Sequence, residues 1–499
     1  MSQVTASKKV SDPGATAKPP PHIGPGATVG HELHHSPAVK AAIDAIIAEA
    51  RAKSAQLTGV RPPNPALKQS YDDLMKRAAD ARGRALLYPY LGSGIGNGAL
   101  VELADGSVKW DMICGIGVHF FGHSDPDLMA AALRGSLDDT LKAGNLQSNF
   151  DAYAFCETLL AEARKSTALK HAYVSTSGAM ANEQALKVCY QKHAPASRVL
   201  AFRDCFMGRS TTMSQIGDTA AYRIGLPLWV PVDYMPFWDP VGAEKMGGKQ
   251  AFIDAAVRQL REYLGRYPRQ HACFIFELIQ GEGGFNVGDR DFFKALMDIC
   301  RENSIAVWAD EIQTFGRLPA MFAADYFGLG EYVDVMTIGK MTQSCVTLFT
   351  EACNPGPGLL SGTFLGEGVS FRVGQRVVER LKGGNLYGAH GAAARHHAAF
   401  VAQVQALAGK HPEWFPRVPG IPSIHGGLGG MMRFTPFGGD KDKAVRACKT
   451  IFEEGVILFY CGHGPYHLRV LPPLPVFQEK DWPEVFACIE RGLARAASE

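Results

Sequence analysis

At 499 residues the chain is long enough for two domains around a sizeable core. Apolar residues make up 46% and charged residues 20%, ordinary usage for a soluble globular protein, and a formal charge of +2 gives no reason to expect nucleic acid or an anionic membrane as partner. No apolar run approaches the roughly 20 residues that cross a bilayer. Residues 1–35 are rich in Pro, Gly, Ser and Lys, with Pro19, Pro20 and Pro21 in a row, and such composition buries too little apolar surface to order itself, so a flexible arm is expected there. Two amphipathic helical stretches follow, near 37–53 and 65–82, separated by Pro62 and Pro63. Residues 101–111 predict a hairpin turning at Asp105-Gly106.

From there short apolar runs alternate with helical patterns. Strands are expected at 172–175, 199–202, 272–278, 306–309 and 335–338, and helices at 179–192, 251–263 and 289–302. This alternation predicts a largely parallel sheet covered on both faces, an α/β fold. After about Val369 a long helix and a looser mixture begin, which suggests a smaller C-terminal domain. The expected division is an arm (1–35), an N-terminal segment contributing to a small domain (36–110), a large domain (111–370) and a C-terminal small domain (371–499). The N-terminus lacks the basic and apolar stretches of a secretory leader. The eleven cysteines are scattered, without a CxxC pair. They read as reduced thiols, most of them small core residues, and the cytoplasm is the expected compartment.

Four features fall on the proposed sheet. Ser175-Thr176-Ser177-Gly178-Ala179 ends a strand and opens a helix, so its N–H groups and the helix dipole suit a phosphate; a helix cap without ligand explains it as well. Asp310-Glu311-Ile312-Gln313 follows an apolar strand, where a parallel sheet turns side chains into its ligand crevice. Asp310 there can keep a pyridine nitrogen protonated and Gln313 can donate to a phenolic oxygen, or the acidic pair is simply solvated. Lys340 again follows an apolar strand, as a desolvated amine able to form a Schiff base or as a surface lysine. Phe206, after the strand at 199–202, can stack on a ring or fill the core.

Together these motifs resemble the class III (omega) aminotransferase family of pyridoxal-phosphate (PLP) fold type I. The strongest pieces are Ser177–Glu183 (Ser-Gly-Ala-Met-Ala-Asn-Glu), Glu277–Gly284 (Glu-Leu-Ile-Gln-Gly-Glu-Gly-Gly) and Asp310–Gln313, in ordered spacing to Lys340, within a resemblance spanning roughly residues 87–475. The resemblance implies a large, mostly parallel-sheet domain with a smaller α+β domain from both chain ends. It implies pyridoxal 5'-phosphate, cradled by Ser177, Gly178 and Ala179, covered by Phe206, paired through Asp310 and Gln313, and bound covalently at Lys340. Thr363 resembles the threonine that reaches the neighbouring subunit's phosphate, which implies a homodimer with shared active sites. Arg469 resembles the arginine that grips a substrate carboxylate, Glu282 the acid that pairs with it, and Glu277 the start of the same substrate-side segment. Gly115-Ile116-Gly117 and Gly122-His123 resemble a substrate-entrance segment, with His123 read as a structural loop residue.

The implied reaction is transfer of an amino group from an amine or omega-amino acid to a 2-oxo acid such as 2-oxoglutarate or pyruvate. An aminomutase or racemase of the same fold stays open as an alternative, as does a non-catalytic PLP-binding protein. Leu278 stands where a proline is usual, and Met207 where a histidine is. The stretch 313–317 is one glycine short, 341–345 replaces a glycine-rich loop, and 365–368 replaces the usual Gly-Gly-Asn-Pro. These departures are expected to cluster at the pocket rim and dimer contact.

Overall fold

The structure is a computed structural model that describes residues 28–139 and 142–498. Most of the expected arm lies outside the described residues; residues 28–35, assigned to it, instead form the helix Val29–His34, capped by the Thr28 side chain. The helices Pro37–Ser54 and Lys68–Arg82 follow where helical periodicity predicts them.

Seven strands make the large sheet: Leu169–Ser175 (β1), Arg198–Phe202 (β2), Val232–Met235 (β3), His271–Phe276 (β4), Ala306–Glu311 (β5), Val335–Ile338 (β6) and Cys345–Thr350 (β7). Their order is β1-β7-β6-β5-β4-β2-β3. The pairs between β6 and β3 are parallel, and β7 runs antiparallel to both β6 and β1. Strands β4 to β7 are buried along their whole length, as apolar strands covered on both faces must be. The helices Gly178–Lys192, Lys249–Arg266 and Arg290–Glu302 cover it, the last capped by Asp289.

The predicted hairpin is present as Leu100–Leu103 paired with Val108–Asp111. Val108–Asp111 also pairs in parallel with Val456–Ile457, so segments from both ends of the chain share one small sheet. A second four-stranded sheet, His425–Leu428, Met431–Phe434, His467–Val470 and Phe459–Cys461, completes the C-terminal region. The boundary expected at 370 falls inside the helix Gly368–Gly383, which packs on Pro126–Gly135 and Phe150–Ala163.

Candidate active site

The carboxyl edge of β5 and β6 forms the floor of a cavity of about 750 Å³. Thr337 sits in register with Asp310 and Ile338 with Glu311, so the chain leaving β6 delivers Lys340 beside the end of β5. Strand alternation separates the two acids. Asp310 faces the cavity, whereas Glu311 points away and accepts from Thr314 Oγ1 (2.7 Å) and from the N–H groups of Ala323 (2.8 Å) and Ala324 (2.9 Å). Glu311 is therefore a structural cap, which disposes of the solvated-pair reading.

Asp310 is 7% exposed; Asn182 Nδ2 donates to one oxygen (2.9 Å) and the Ile312 N–H to the other (2.9 Å). Burial pushes its carboxyl above the ordinary range, against those bonds and the pull of Lys340. Lys340 lies in left-handed backbone (φ 52°), a strained conformation for a residue with a Cβ. Burial lowers its ammonium to about 8, aided by Arg469 and Arg317 and opposed by Asp310 and Glu282. Lys340 thus gives up its proton far more readily than an ordinary lysine, and it is not a surface lysine.

Ser177 caps the helix Gly178–Lys192, its Oγ accepting from the Met180 N–H (3.3 Å). The cap exists, but it leaves the first-turn N–H groups of Gly178 and Ala179, which have no intrahelical carbonyl, at the cavity wall. Opposite them Gly208 has φ +126°, and a methyl there would lie 2.7 Å from Ala179 Cβ, so only glycine lets that loop close on the helix start. Phe206 lines the cavity, half-buried, edge-on to Tyr222 at 6.1 Å. Gln313 is buried, and its Nε2 has no hydrogen-bond partner among the described residues.

Glu277, Glu282 and Arg469, expected on the substrate side, line the same cavity. Arg469 is 1% exposed and donates Nη2 to Glu282 (2.8 Å), leaving Nε and Nη1 without partners among the described residues. The Tyr222 hydroxyl donates to the other Glu282 oxygen at 3.4 Å. Glu277 lines the same cavity, but both its oxygens accept backbone N–H groups, from Phe206 (2.9 Å) and Gly281 (3.2 Å). Burial and the nearby Asp310 push its carboxyl up to about 8. It anchors the Phe206 loop to the loop that carries Glu282.

Thr363 is exposed and does not line this cavity. Gly115 and Ile116 do, while His123 bonds Asp111 (2.8 Å) outside it, a structural contact as its loop position suggests. Of the departures from the family pattern, Met207 lines the cavity, whereas Leu278 and Met341 are buried core side chains away from its wall; the expectation that these changes ring the pocket is corrected there. Sequence reasoning missed Tyr222 and the orienting role of Asn182. Asn182 sits five residues after its helix cap, one turn into the helix and facing Asp310, a placement visible only once strand and helix are packed.

The family model for aminotransferase class-III matches residues 93–493. A probable 4-aminobutyrate aminotransferase of Bacillus subtilis is 26% identical over 80% of this chain and 92% of its own length. A diaminobutyrate–2-oxoglutarate transaminase of Nocardia farcinica is 26% identical over 77% and 85%. Among solved structures, the lysine aminotransferase from M. tuberculosis superposes with a TM-score of 0.71 at 22% identity, covering 85% of this chain and 99% of that one. A PLP-bound amine transaminase from an uncultivated Pseudomonas species gives 0.69 at 18% identity, covering 84% and 96%.

Proposed function

This chain belongs to the class-III aminotransferases, PLP-dependent enzymes, and we propose that it moves an amino group from an omega-amine or omega-amino acid to a 2-oxo acid such as 2-oxoglutarate, with Lys340 as its covalent anchor and proton carrier. The observation that carries the reading is the meeting of Lys340, Asp310 and the unpartnered Gln313 amide at one cavity floor beneath a helix N-terminus. Those residues fit the cofactor. The N–H groups of Gly178 and Ala179 suit its phosphate, Phe206 one face of its ring, Gln313 its phenolic oxygen, and Asp310 its ring nitrogen.

When bound, the cofactor supplies a carbonyl that captures the amine and a charged ring that accepts the electron pair left by proton loss. Lys340 Nζ, lowered to about 8, takes the proton from the substrate carbon that bears nitrogen and later delivers it. Asp310 stabilises a positive ring nitrogen. Burial raises its carboxyl above the ordinary range, a cation facing it pulls it back toward the anion, and Asn182 holds it in place. Arg469 can grip a substrate carboxylate through the edge that Glu282 vacates, joining Nη2 to one of its unpartnered N–H groups, and Glu282 neutralises the guanidinium when the substrate has no carboxylate there. That exchange lets one pocket serve both an amine and a 2-oxo acid.

The relatives' substrates, 4-aminobutyrate and diaminobutyrate, support an omega-amino acid as donor. Eleven free cysteines, ten of them buried, favour a reducing compartment such as the cytoplasm. Thr363, exposed on its own subunit, supports a homodimer in which it serves the partner's phosphate.

The test is a visible spectrum of the purified protein, borohydride reduction and peptide mapping, then an amine panel with 2-oxoglutarate and pyruvate. A reduced adduct on the peptide holding Lys340, with oxo acid consumed in step with amine, is expected. An adduct on another lysine overturns the anchor. Substrate isomerisation with no oxo acid consumed replaces transfer by the mutase or racemase reaction.

A further inference from the structure

A second cavity, of about 700 Å³, lies behind the loop that carries Glu282. Gln280, Gly283 and Phe285 of that loop line it, whereas Glu277, Ile279 and Glu282 line the active-site cavity, so the loop is a shared partition. Phe285 marks the boundary, with Arg469's guanidinium 5.6 Å from its ring centre.

The far wall is the C-terminal sheet. Arg433 stands directly opposite Arg469 across the Met431–Phe434 and His467–Val470 pair, and His467 is two residues before Arg469, so all three occupy one face. Arg469 has its acid in Glu282; Arg433 has none among the described residues. It is 4% exposed, its Nη1 touches only Thr435 Oγ1 (3.3 Å) and His467 Nδ1 (3.5 Å), and its Nε has no partner. Gly426 makes room for it, since a methyl there would lie 2.9 Å from Arg433 Cζ.

A buried guanidinium without a counter-ion destabilises the fold unless an anion completes it. The two carboxylates on the cavity wall do not serve. Asp204 is bonded to His463 (2.8 Å), and Asp239 caps a helix through the Val241 N–H (3.0 Å). His467 stays neutral, held down at about 3 by burial and Arg433, so Arg433 is the buried fixed positive charge of this cavity, the other lining arginine, Arg203, being exposed. Phe237, Trp238 and Pro422 supply apolar wall. We propose that this cavity is a second ligand site, separate from the active site, which binds a small organic monocarboxylate with its carboxylate on Arg433 and its apolar body against Phe237 and Trp238.

The test titrates the cofactor-loaded enzyme with phenylacetate while following tryptophan fluorescence. Saturable quenching is expected, absent in Trp238→Phe, and weakened about tenfold or more in Arg433→Met. Gly426→Ala, which keeps the charge but displaces the guanidinium, is expected to weaken it too and covers the case in which Arg433→Met does not fold. Inorganic phosphate at matched ionic strength should bind more weakly than phenylacetate; the reverse order overturns the monocarboxylate assignment. No saturable signal from the wild type, an unchanged affinity in both variants, or a signal abolished by Arg469→Ala and untouched by Arg433→Met overturns the site.

Discussion

Lys340 shows how one residue's chemistry is set by its surroundings rather than its type. Burial with two arginines nearby outweighs Asp310 and Glu282 and brings its ammonium down to about 8. Below that pH the amine is protonated and cannot attack a carbonyl; above it the free pair is available. The rate at which apoenzyme takes up PLP should therefore rise with pH through a midpoint near 8, read by stopped-flow absorbance. A rate independent of pH between 6 and 10 would show that another group limits uptake. Asp310→Asn tests the ring-nitrogen role. The amide preserves shape but can accept only one of the two N–H groups that Asp310 holds, and it cannot become an anion, so turnover should fall by about 10²–10⁴-fold while cofactor stays bound, measured as kcat against absorbance. For Arg469, removing the guanidinium in Arg469→Ala leaves Glu282 without its cation, bonded to Tyr222 alone, and deletes the proposed carboxylate grip. The apparent KM for 2-oxoglutarate should rise by about 30-fold or more, while the amine half-reaction changes less.

At the scale of elements, the site depends on where strands end and how tightly loops close over them. Apolar runs followed by Asp310 and by Lys340 announced β5 and β6, because parallel strands buried on both faces must be apolar throughout. Two strands of the sheet were not legible. β3 is four residues carrying Asp233 between prolines 231 and 236, too short and too polar for an apolar run. β7 begins at Cys345, inside a stretch that reads as a departure from the family loop, and its antiparallel insertion between β1 and β6 is a long-range pairing that no local pattern encodes. The motif residues were legible because their chemistry is unusual at a strand end. Tyr222 was not, since its approach to Glu282 joins segments 60 residues apart. Gly208 gives the loop-closure prediction. Gly208→Ala sets a methyl 2.7 Å from Ala179 Cβ in backbone that disfavours any Cβ, so the Phe206–Arg209 loop must lift off the helix start. A stability loss of about 1–3 kcal/mol by thermal melting and a weaker affinity for PLP are expected together. Loss of stability with unchanged cofactor affinity would separate that loop from the phosphate site.

The whole molecule leaves two large apolar side chains of neighbouring segments open to water. Leu146 is fully exposed and Phe364 is 48% exposed, on adjoining segments held together by the pairing of Lys142–Ala143 with Gly366–Glu367. Thr363 lies beside them, its backbone packed against Gly144. A second copy of the chain that covered this small apolar patch would cover Thr363 with it. Two variants separate assembly from contact. Leu146→Asp combined with Phe364→Asp should convert a dimer to monomers in sedimentation and weaken PLP binding with it, because a site completed by the neighbour is lost when the neighbour leaves. Thr363→Val should leave the dimer intact and weaken PLP binding alone, by about 3- to 30-fold for one hydrogen bond to a charged group. If both variants remain dimeric with full cofactor affinity, the patch and Thr363 have no part in the shared site. If the double variant is monomeric yet binds PLP as tightly as the wild type, each subunit completes its own cavity and the dimer serves stability alone.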